Sequence, residues 1–243
     1  MNCKYQFEAG KFGLLKILIL FDRVWMNPTM RINSLSGGIE QFYFVIISDL
    51  YAFIKSWIQR ITKPGMYEVL NYETTLELLD EKGKKAILTK TEEVKFLQNS
   101  IIAFQDQAWG SGKILIAYQC APGIPVDFYQ FAHKTYILIS LRNVMQKGDI
   151  TKFEIYWKIK DGFKKPYGFW ATDINHFTKK MKVNVIFPKE RPPLKLMTVE
   201  SNRQLTKELQ KDAITQLPDK RWQVTWEKQN PRLYEHYILK WEW

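Results

Sequence analysis

The fold class of this chain is decided by the stretch Phe153-Glu154-Ile155-Tyr156-Trp157-Lys158-Ile159-Lys160. Apolar residues alternate there with more polar ones, so every second side chain faces the same side of an extended strand. The same two-residue period recurs in Met181–Phe187, Trp222–Trp226 and Tyr237–Trp243. These patterns predict strands that bury one face. The residues expected to be buried are Phe153, Ile155, Trp157, Val183, Val185, Trp222, Val224 and Leu239.

Further short strands are expected between these segments and a boundary near residue 65. The candidates are Thr75–Asp80, Lys85–Lys90, Ile101–Phe104, Lys113–Tyr118 and Tyr136–Arg142. Many short strands separated by glycine-containing turns favour a β-sandwich or barrel. We therefore expect residues 66–243 to form an antiparallel β-sandwich, with an immunoglobulin-like layout as one option, although the Cys–Trp–Cys signature of antibody domains is absent.

Two local features of this β-rich domain can be predicted more closely. Glu81-Lys82-Gly83 separates two strand candidates and indicates a hairpin turn. Asn202–Gln216 is the best candidate for a helix, because Leu205, Leu209 and Ile214 recur at roughly helical spacing before Pro218.

Residues 1–65 have a different pattern, typical of a helical segment. Within 41–61 the apolar residues recur at helical spacing, namely Phe42, Ile46, Leu50, Phe53, Trp57 and Ile61. A Gly/Ser/Pro-containing linker at 28–39 precedes this stretch, and Pro64 ends it. Its apolar stripe predicts docking on the β-domain or on a protein partner. Peripheral membrane contact through 41–61 is a less favoured alternative, since the polar face lacks a run of Lys or Arg.

Composition excludes several classes of protein. The chain has 243 residues, a formal charge of +11 and 46% hydrophobic residues, which is incompatible with wholesale disorder. Its two cysteines, Cys3 and Cys120, are too few for a disulfide framework, so we expect a cytoplasmic protein. The apolar run at 14–21 is too short to span a membrane and lacks a small-residue cleavage site.

Catalytic candidates are few. Cys120, Asp127 and His133 lie within 14 residues and supply a thiol, a carboxylate and an imidazole, the types that a cysteine-dependent hydrolase uses. No known signature surrounds Cys120, and a small thiol at a strand end before a Pro-Gly loop is the favoured interpretation. We therefore expect no catalytic site and keep the hydrolase as the second alternative.

The sequence also lacks the common cofactor and metal motifs. Its three histidines, His133, His176 and His236, are too far apart for a common zinc motif. Trp109-Gly110-Ser111-Gly112-Lys113 resembles a fragment of a glycine-rich phosphate loop, but it lacks the required spacing and precedes a strand. We expect no metal ion and no cofactor.

Positive charge is concentrated in residues 134–195, which hold fourteen Lys or Arg and five Asp or Glu, a net charge of +9. If the strands that carry them are neighbours, these side chains form a patch that could bind nucleic acid or another anionic ligand. The candidate contacts are Lys158, Lys160, Lys164, Lys165, Lys180, Lys182, Lys189 and Arg191. The favoured interpretation is a solvated outer sheet face, because exposed lysines also keep sheet edges from pairing.

These observations favour a non-enzymatic recognition module that binds a protein partner through the β-domain and the N-terminal helix. The aromatic content of 15% fits such a module, since aromatic residues dominate the energetics of cores and interfaces. Binding of a polyanion through 134–195 is the first alternative. Asp106-Gln107-Ala108-Trp109-Gly110 has the look of a motif, although nothing in the sequence assigns it a role.

Overall fold

A computed structural model describes residues 65–243, which form a mainly β fold, as the alternating patterns predict. The predicted helix at 41–61 lies outside the described residues. The fourteen strands are β1 (Tyr67–Leu78), β2 (Lys85–Phe96), β3 (Ile101–Ala108), β4 (Lys113–Ala121), β5 (Ile124–Phe131), β6 (Lys134–Met145), β7 (Ile150–Lys160), β8 (Tyr167–Asp173), β9 (Lys180–Phe187), β10 (Lys195–Glu200), β11 (Leu205–Glu208), β12 (Ile214–Gln216), β13 (Trp222–Gln229) and β14 (His236–Glu242).

The strands form three sheets. The largest has seven strands in the order β12-β13-β9-β1-β2-β7-β4, and the others are β11-β10-β14-β8 and β3-β6-β5. The pairing of β1 with β9 is parallel, with Tyr72 opposite Met181, so the seven-stranded sheet is mixed where an antiparallel arrangement was expected. A parallel pair needs a long crossover, and β2 to β8 provide it.

The two-residue period explains which side of each strand is buried. Phe153, Ile155 and Trp157 all point into one apolar core that residues of all three sheets share. Seven of the eight residues expected to be buried are buried. Trp222, the first residue of β13, is the exception and stays half-exposed.

The hairpin predicted at Glu81-Lys82-Gly83 is confirmed by the antiparallel pairing of β1 with β2. The carboxylate of Asp80 accepts hydrogen bonds from the backbone N–H groups of Lys82, Lys84 and Lys85 at 2.7–3.0 Å. Gly83 has φ of 63°, and a Cβ there would lie 1.9 Å from the carbonyl oxygen of Phe163. Only glycine fits this turn.

The helix predicted over Asn202–Gln216 is wrong. That segment contains β11, a short 3₁₀ turn at Lys211–Ala213 and β12. Asn202 does not cap a helix, because its backbone N–H donates to the carboxylate of Glu235 at 2.7 Å and its side-chain amide donates to the carbonyl of Tyr234. Pairing with β10 satisfies the backbone of β11, so tertiary contacts outweigh a weak helical period.

Candidate functional site

Two free strand edges line one cavity. Within residues 65–243, β3 is an edge of the three-stranded sheet and β8 is an edge of the four-stranded sheet, and each pairs with a single strand of that region. Both line a cavity of about 410 Å³, called the central cavity below. Unpaired backbone donors and acceptors of an edge strand are a template for pairing with another chain.

The register of β8 shows which backbone groups face this free edge. Trp243 N–H donates to the carbonyl of Pro166 at 3.0 Å, and Ile174 N–H donates to that of Glu235 at 3.1 Å. Bonded pairs alternate along an antiparallel ladder, so the even-numbered residues of β8 bond to β14. The N–H and C=O groups of Tyr167, Phe169, Ala171 and Asp173 therefore point to the free edge.

The edge of β3 has a matching arrangement. Gln107 N–H donates to Oδ1 of the preceding residue, Asp106, at 2.7 Å instead of crossing to β6. Since backbone direction alternates along a strand, Gln105 presents its N–H and C=O groups to the free edge, and Gln107 presents its C=O group there. Both residues line the central cavity.

Two further cavities extend the central one along β8. An apolar cavity of about 310 Å³ shares Trp109, Trp170 and Ala171 with it, and a polar cavity of about 360 Å³ shares Lys134 and Asp173. We call the three together the β3/β8 groove. β8 has seven residues, so the groove follows a strand roughly 20 Å long at about 3.3 Å per residue.

A buried ion cluster forms the floor of the central cavity. Lys90 Nζ donates to Asp106 Oδ1 and lies 3.1 Å from Glu92 Oε1. Burial alone would lower the pKa of Lys90, but the charges of Asp106 and Glu92 outweigh it and hold that pKa above its ordinary value. Burial also raises the pKa of Glu92, against the attraction of Lys90. Tyr118 completes the cluster by donating its hydroxyl to Asp106 Oδ2 at 2.9 Å.

A second ion chain separates the central cavity from the polar one. Asp173 accepts hydrogen bonds from Lys134 on β6 and bonds to Nδ1 of His236 on β14. Burial opposes ionisation of Asp173, yet these two partners lower its pKa below the ordinary value. Lys134 Nζ also lies 4.6 Å from the ring centroid of Trp109, so one ammonium group meets both a carboxylate and an aromatic face.

Two further ring groups, His176 and Trp170, line the central cavity. His176 stacks on Tyr67 with ring centroids 4.2 Å apart, and burial lowers its pKa, which favours the neutral imidazole. The indole N–H of Trp170 is buried and has no hydrogen-bond partner among residues 65–243. A buried unpaired donor costs about 1–3 kcal/mol, and a ligand acceptor would offset that cost.

The structure does not bring Cys120, Asp127 and His133 together. Cys120 Sγ lies 3.8 Å from the carbonyl oxygen of Gly123 at one end of β5, and His133 is in the turn at the other end. β5 has eight residues, so its ends are roughly 23 Å apart. Asp127 is exposed between them. Burial raises the pKa of the Cys120 thiol, which is the opposite of nucleophile activation.

The predicted basic residues divide into two groups. Lys180 and Lys182 share the outer face of the seven-stranded sheet with Lys158 and Lys160, but β1 and β2 lie between the strands that carry them. Lys180 lies 3.2 Å from Glu227, and Lys182 lies 3.3 Å from Glu73. This part of the expected patch is therefore neutralised by carboxylates.

Three other residues predicted to contact an anionic ligand already have partners within the protein. Lys164 pairs with Asp161 at 2.8 Å, and Lys189 pairs with Glu190 at 3.2 Å. Arg191 donates to the carbonyls of Glu81 and Lys165, and its guanidinium lies 3.6 Å from the ring centroid of Trp243. Arg191 therefore holds loops in place.

Lys160 instead belongs to a row of lysines. It lies directly between Lys85 of β2 and Lys113 of β4, and Lys158 points to the same face one pair further along β7. All four side chains are exposed, and no ion pair of residues 65–243 involves them. We call them the lysine row.

Within residues 65–243, no three His, Cys, Asp or Glu side chains come together in a way that could hold a metal ion. In the same part of the chain, no helix has the length and hydropathy needed to cross a membrane.

Sequence reasoning missed the residues that form the groove. A signal was present in β2, where Lys90 and Glu92 occupy the buried positions of an alternating pattern between Leu88 and Val94. Charges on the apolar face of a strand need partners, and Asp106 lies in the motif-like stretch noted above. The remaining residues, such as Asp173 and His236, are distant in sequence and meet only through the sheet pairing.

Comparisons with known proteins give no family. No protein-family model matches the chain, and no curated protein matches it. An M1 zinc metallopeptidase from Deinococcus radiodurans is similar in structure with a TM-score of 0.42 and 10% identity, over 71% of this chain and 42% of that one. A protein from Parabacteroides distasonis gives a TM-score of 0.47 and 10% identity, over 73% of this chain and 40% of that one. The chain spans less than half the length of either structure.

Proposed function

We propose that this protein is a recognition module that binds an extended segment of a protein partner in the β3/β8 groove. The observation that carries the proposal is the presence of two free strand edges on one cavity. A segment lying along β8 could pair with Phe169, Ala171 and Asp173 on one side and approach Gln105 and Gln107 on the other. Main-chain bonds of this kind provide affinity, and side-chain pockets provide specificity.

The side chains along the groove support this proposal. Trp109 and Trp170 stand where the central and apolar cavities meet, and aromatic residues of this kind often dominate binding energy. The unpartnered indole N–H of Trp170 offers a donor for a carbonyl group of the bound segment. We also propose that the helix predicted at 41–61 makes a second contact with the partner. The shared apolar core supports a layered sandwich arrangement of the sheets.

Selection of a displayed random heptapeptide library on the full chain tests the proposal. Peptides retained by the wild type should bind along β8, so Phe169→Pro should weaken them about three- to tenfold by removing one edge N–H. Gly168 precedes this position and has no Cβ to clash with the proline ring. Phe169→Ala removes the same ring, keeps the N–H and is the matched control.

The melting temperature of each variant shows whether it folds. Trp170→Phe, which removes the unpartnered indole N–H together with part of the ring, provides a second measurement. Retained peptides that bind Phe169→Pro and Trp170→Phe as tightly as they bind the wild type would contradict the proposal. Failure of the library to yield any peptide that the wild type retains would contradict it as well.

A second candidate function is supported by the lysine row. Lys85, Lys113, Lys158 and Lys160 place four unpaired ammonium groups on one sheet face, where each phosphate contact releases counterions. We propose binding of a nucleic acid or another polyanion there as the alternative.

Neutralising all four lysines should reduce the salt dependence of binding to single-stranded DNA by about 0.7 in the log–log slope per lost contact. Neutralising Lys180 and Lys182, which are already paired with carboxylates, is the control. A wild-type chain that shows no salt-sensitive binding at low ionic strength would remove this candidate.

A further inference from the structure

The central cavity has more negative than positive side chains. Lys90 and Lys134 face Glu92, Asp106 and Asp173 in its lining, and burial lowers the pKa of His176, which disfavours its cationic form. An anionic group placed in this cavity would meet carboxylates whose cations are already engaged. The charge balance therefore favours a cationic ligand.

Two of the three carboxylates have no free oxygen. Asp106 Oδ1 accepts from Lys90 and from the backbone of Gln107, while its Oδ2 accepts from Tyr118. Asp173 uses one oxygen for Lys134 and the other for His236. Each oxygen of these two carboxylates therefore already has a donor.

Glu92 differs from both. Its ion pair with Lys90 engages Oε1, and no hydrogen bond or ion pair of residues 65–243 engages Oε2. The side chain as a whole is 11% exposed, and Oε2 is not among the sealed, unpartnered atoms of residues 65–243, so this oxygen faces the cavity. A buried carboxylate with an unused oxygen favours either protonation or a cation beside it. Burial, with the nearby charge of Asp106 adding to it, raises the pKa of Glu92 against the attraction of Lys90, so a second cation would stabilise the ionised carboxylate.

The walls beside Glu92 are aromatic. Tyr67, Tyr72, Trp157 and Trp170 line the same cavity, and ring faces attract ammonium and guanidinium groups. The cavity already contains one example of such a contact, since Lys134 Nζ lies over the ring of Trp109 while it pairs with Asp173. A second cation beside Glu92 would repeat this combination of a carboxylate and an aromatic face.

We propose that the central cavity binds a cationic side chain, an alkylammonium or guanidinium group, with Glu92 Oε2 as its acceptor and the surrounding aromatic rings as its walls. This inference rests on the proposed function, because it specifies that the bound segment carries lysine or arginine at the position that enters the cavity. The flanking backbone would then lie along β8, whose Ala171 and Asp173 line the same cavity.

The test uses butylammonium, butanol and butyrate, three probes of equal chain length that differ in charge. Saturation-transfer NMR on the full chain gives a dissociation constant for each. Butylammonium should bind at least tenfold more tightly than butanol, and butyrate should not bind. Glu92→Gln should weaken butylammonium at least tenfold. Glu93→Gln is the matched control, because Glu93 follows on the same strand and points to the opposite face.

Equal binding of butylammonium and butanol, or full binding by Glu92→Gln, would overturn the inference. Glu92→Asp, which keeps the charge, should retain part of the affinity and covers the case in which Glu92→Gln fails to fold. The two proposals can fail separately. Library peptides that bind along β8 without any lysine or arginine would overturn the cation site and leave the groove intact. Butylammonium binding without any retained peptide would overturn the proposed function alone.

Discussion

Lys90 Nζ of β2 donates a hydrogen bond to Asp106 Oδ1 of β3, and this contact joins the seven-stranded sheet to the three-stranded sheet. Asp106 is 1% exposed and Lys90 is 5% exposed, so water contributes little to either charge. The pair lies under the groove, and its loss would affect both the stability of the domain and the position of the β3 edge.

Asp106→Asn should lower the free energy of unfolding by about 3–5 kcal/mol, because it leaves Lys90 as a buried charge with only Glu92 beside it. Urea denaturation of the full chain measures this change. Glu154→Gln disrupts the exposed pair with Lys152 and should leave the free energy of unfolding unchanged. An Asp106→Asn variant that unfolds at the wild-type urea concentration would contradict the structural role of the pair.

Acid should destabilise the protein in part through His176. Burial lowers its pKa in the folded state below the ordinary 6.5, so the folded protein binds this proton less readily than the unfolded chain. The stability that His176 contributes is therefore present above about pH 6.5 and is lost as the pH falls through its lowered pKa.

His176→Phe keeps a ring against Tyr67 and should flatten the dependence of unfolding free energy on pH between 7.5 and 5. The control is His133→Gln, which removes a histidine that is exposed in a turn. Identical pH profiles for His176→Phe and the wild type would show that His176 is not the group responsible.

Cys120 should react slowly with thiol reagents. Burial and the nearby charge of Asp106 raise the pKa of its thiol, which lowers the thiolate fraction at neutral pH. In a Cys3→Ser background, the rate of alkylation by iodoacetamide should lie below that of a free cysteine peptide at pH 7.5. The rate should still rise at pH values where the peptide has reached its plateau. Faster alkylation than the peptide would support an activated thiol and the hydrolase interpretation.

Lys160→Glu should stabilise the protein. Lys160 lies directly between Lys85 and Lys113, and like charges at opposed positions of a sheet are destabilising. We expect a gain of about 0.2–1 kcal/mol at low salt, which 1 M salt should largely remove. Lys152→Glu breaks the pair with Glu154 and should change stability in the opposite direction. A lower urea midpoint for Lys160→Glu would contradict the repulsion.

Local patterns in the sequence predict the strands well because a two-residue period is a local property. β7 and the β1–β2 hairpin can be located from alternating residues and one glycine turn. The parallel pairing of β1 with β9 has no local signal, since it depends on the route of roughly a hundred intervening residues. Trp222 shows the same limit, because it continues the alternation of Val224 and is nevertheless half-exposed.

The groove was less predictable than the strands. Lys90 and Glu92 interrupt the buried face of β2 and indicate a polar contact, but the sequence does not say that Asp106 is the partner. The alternation of lysines predicts which face they occupy on each single strand. It does not predict how far apart those strands lie in the sheet. Lys158 and Lys182 do share a face, yet strand order separates them and places Glu73 and Glu227 beside Lys182.

The parallel pairing of β1 with β9 also bears on how the chain folds. The side-chain amide of Asn184 donates to Glu73 across 111 residues of sequence, in the middle of the largest sheet. Contacts of such long range slow folding, so the β1–β2 hairpin should form early and β9 should join it late. A short segment connects β8 to β9 and is held in place by Val69. The backbone N–H of Val69 donates to the carbonyl of Phe177, and its carbonyl accepts from the N–H of Lys179. One wall of the groove therefore takes its position late in folding, and until then β1 exposes an edge that can pair wrongly.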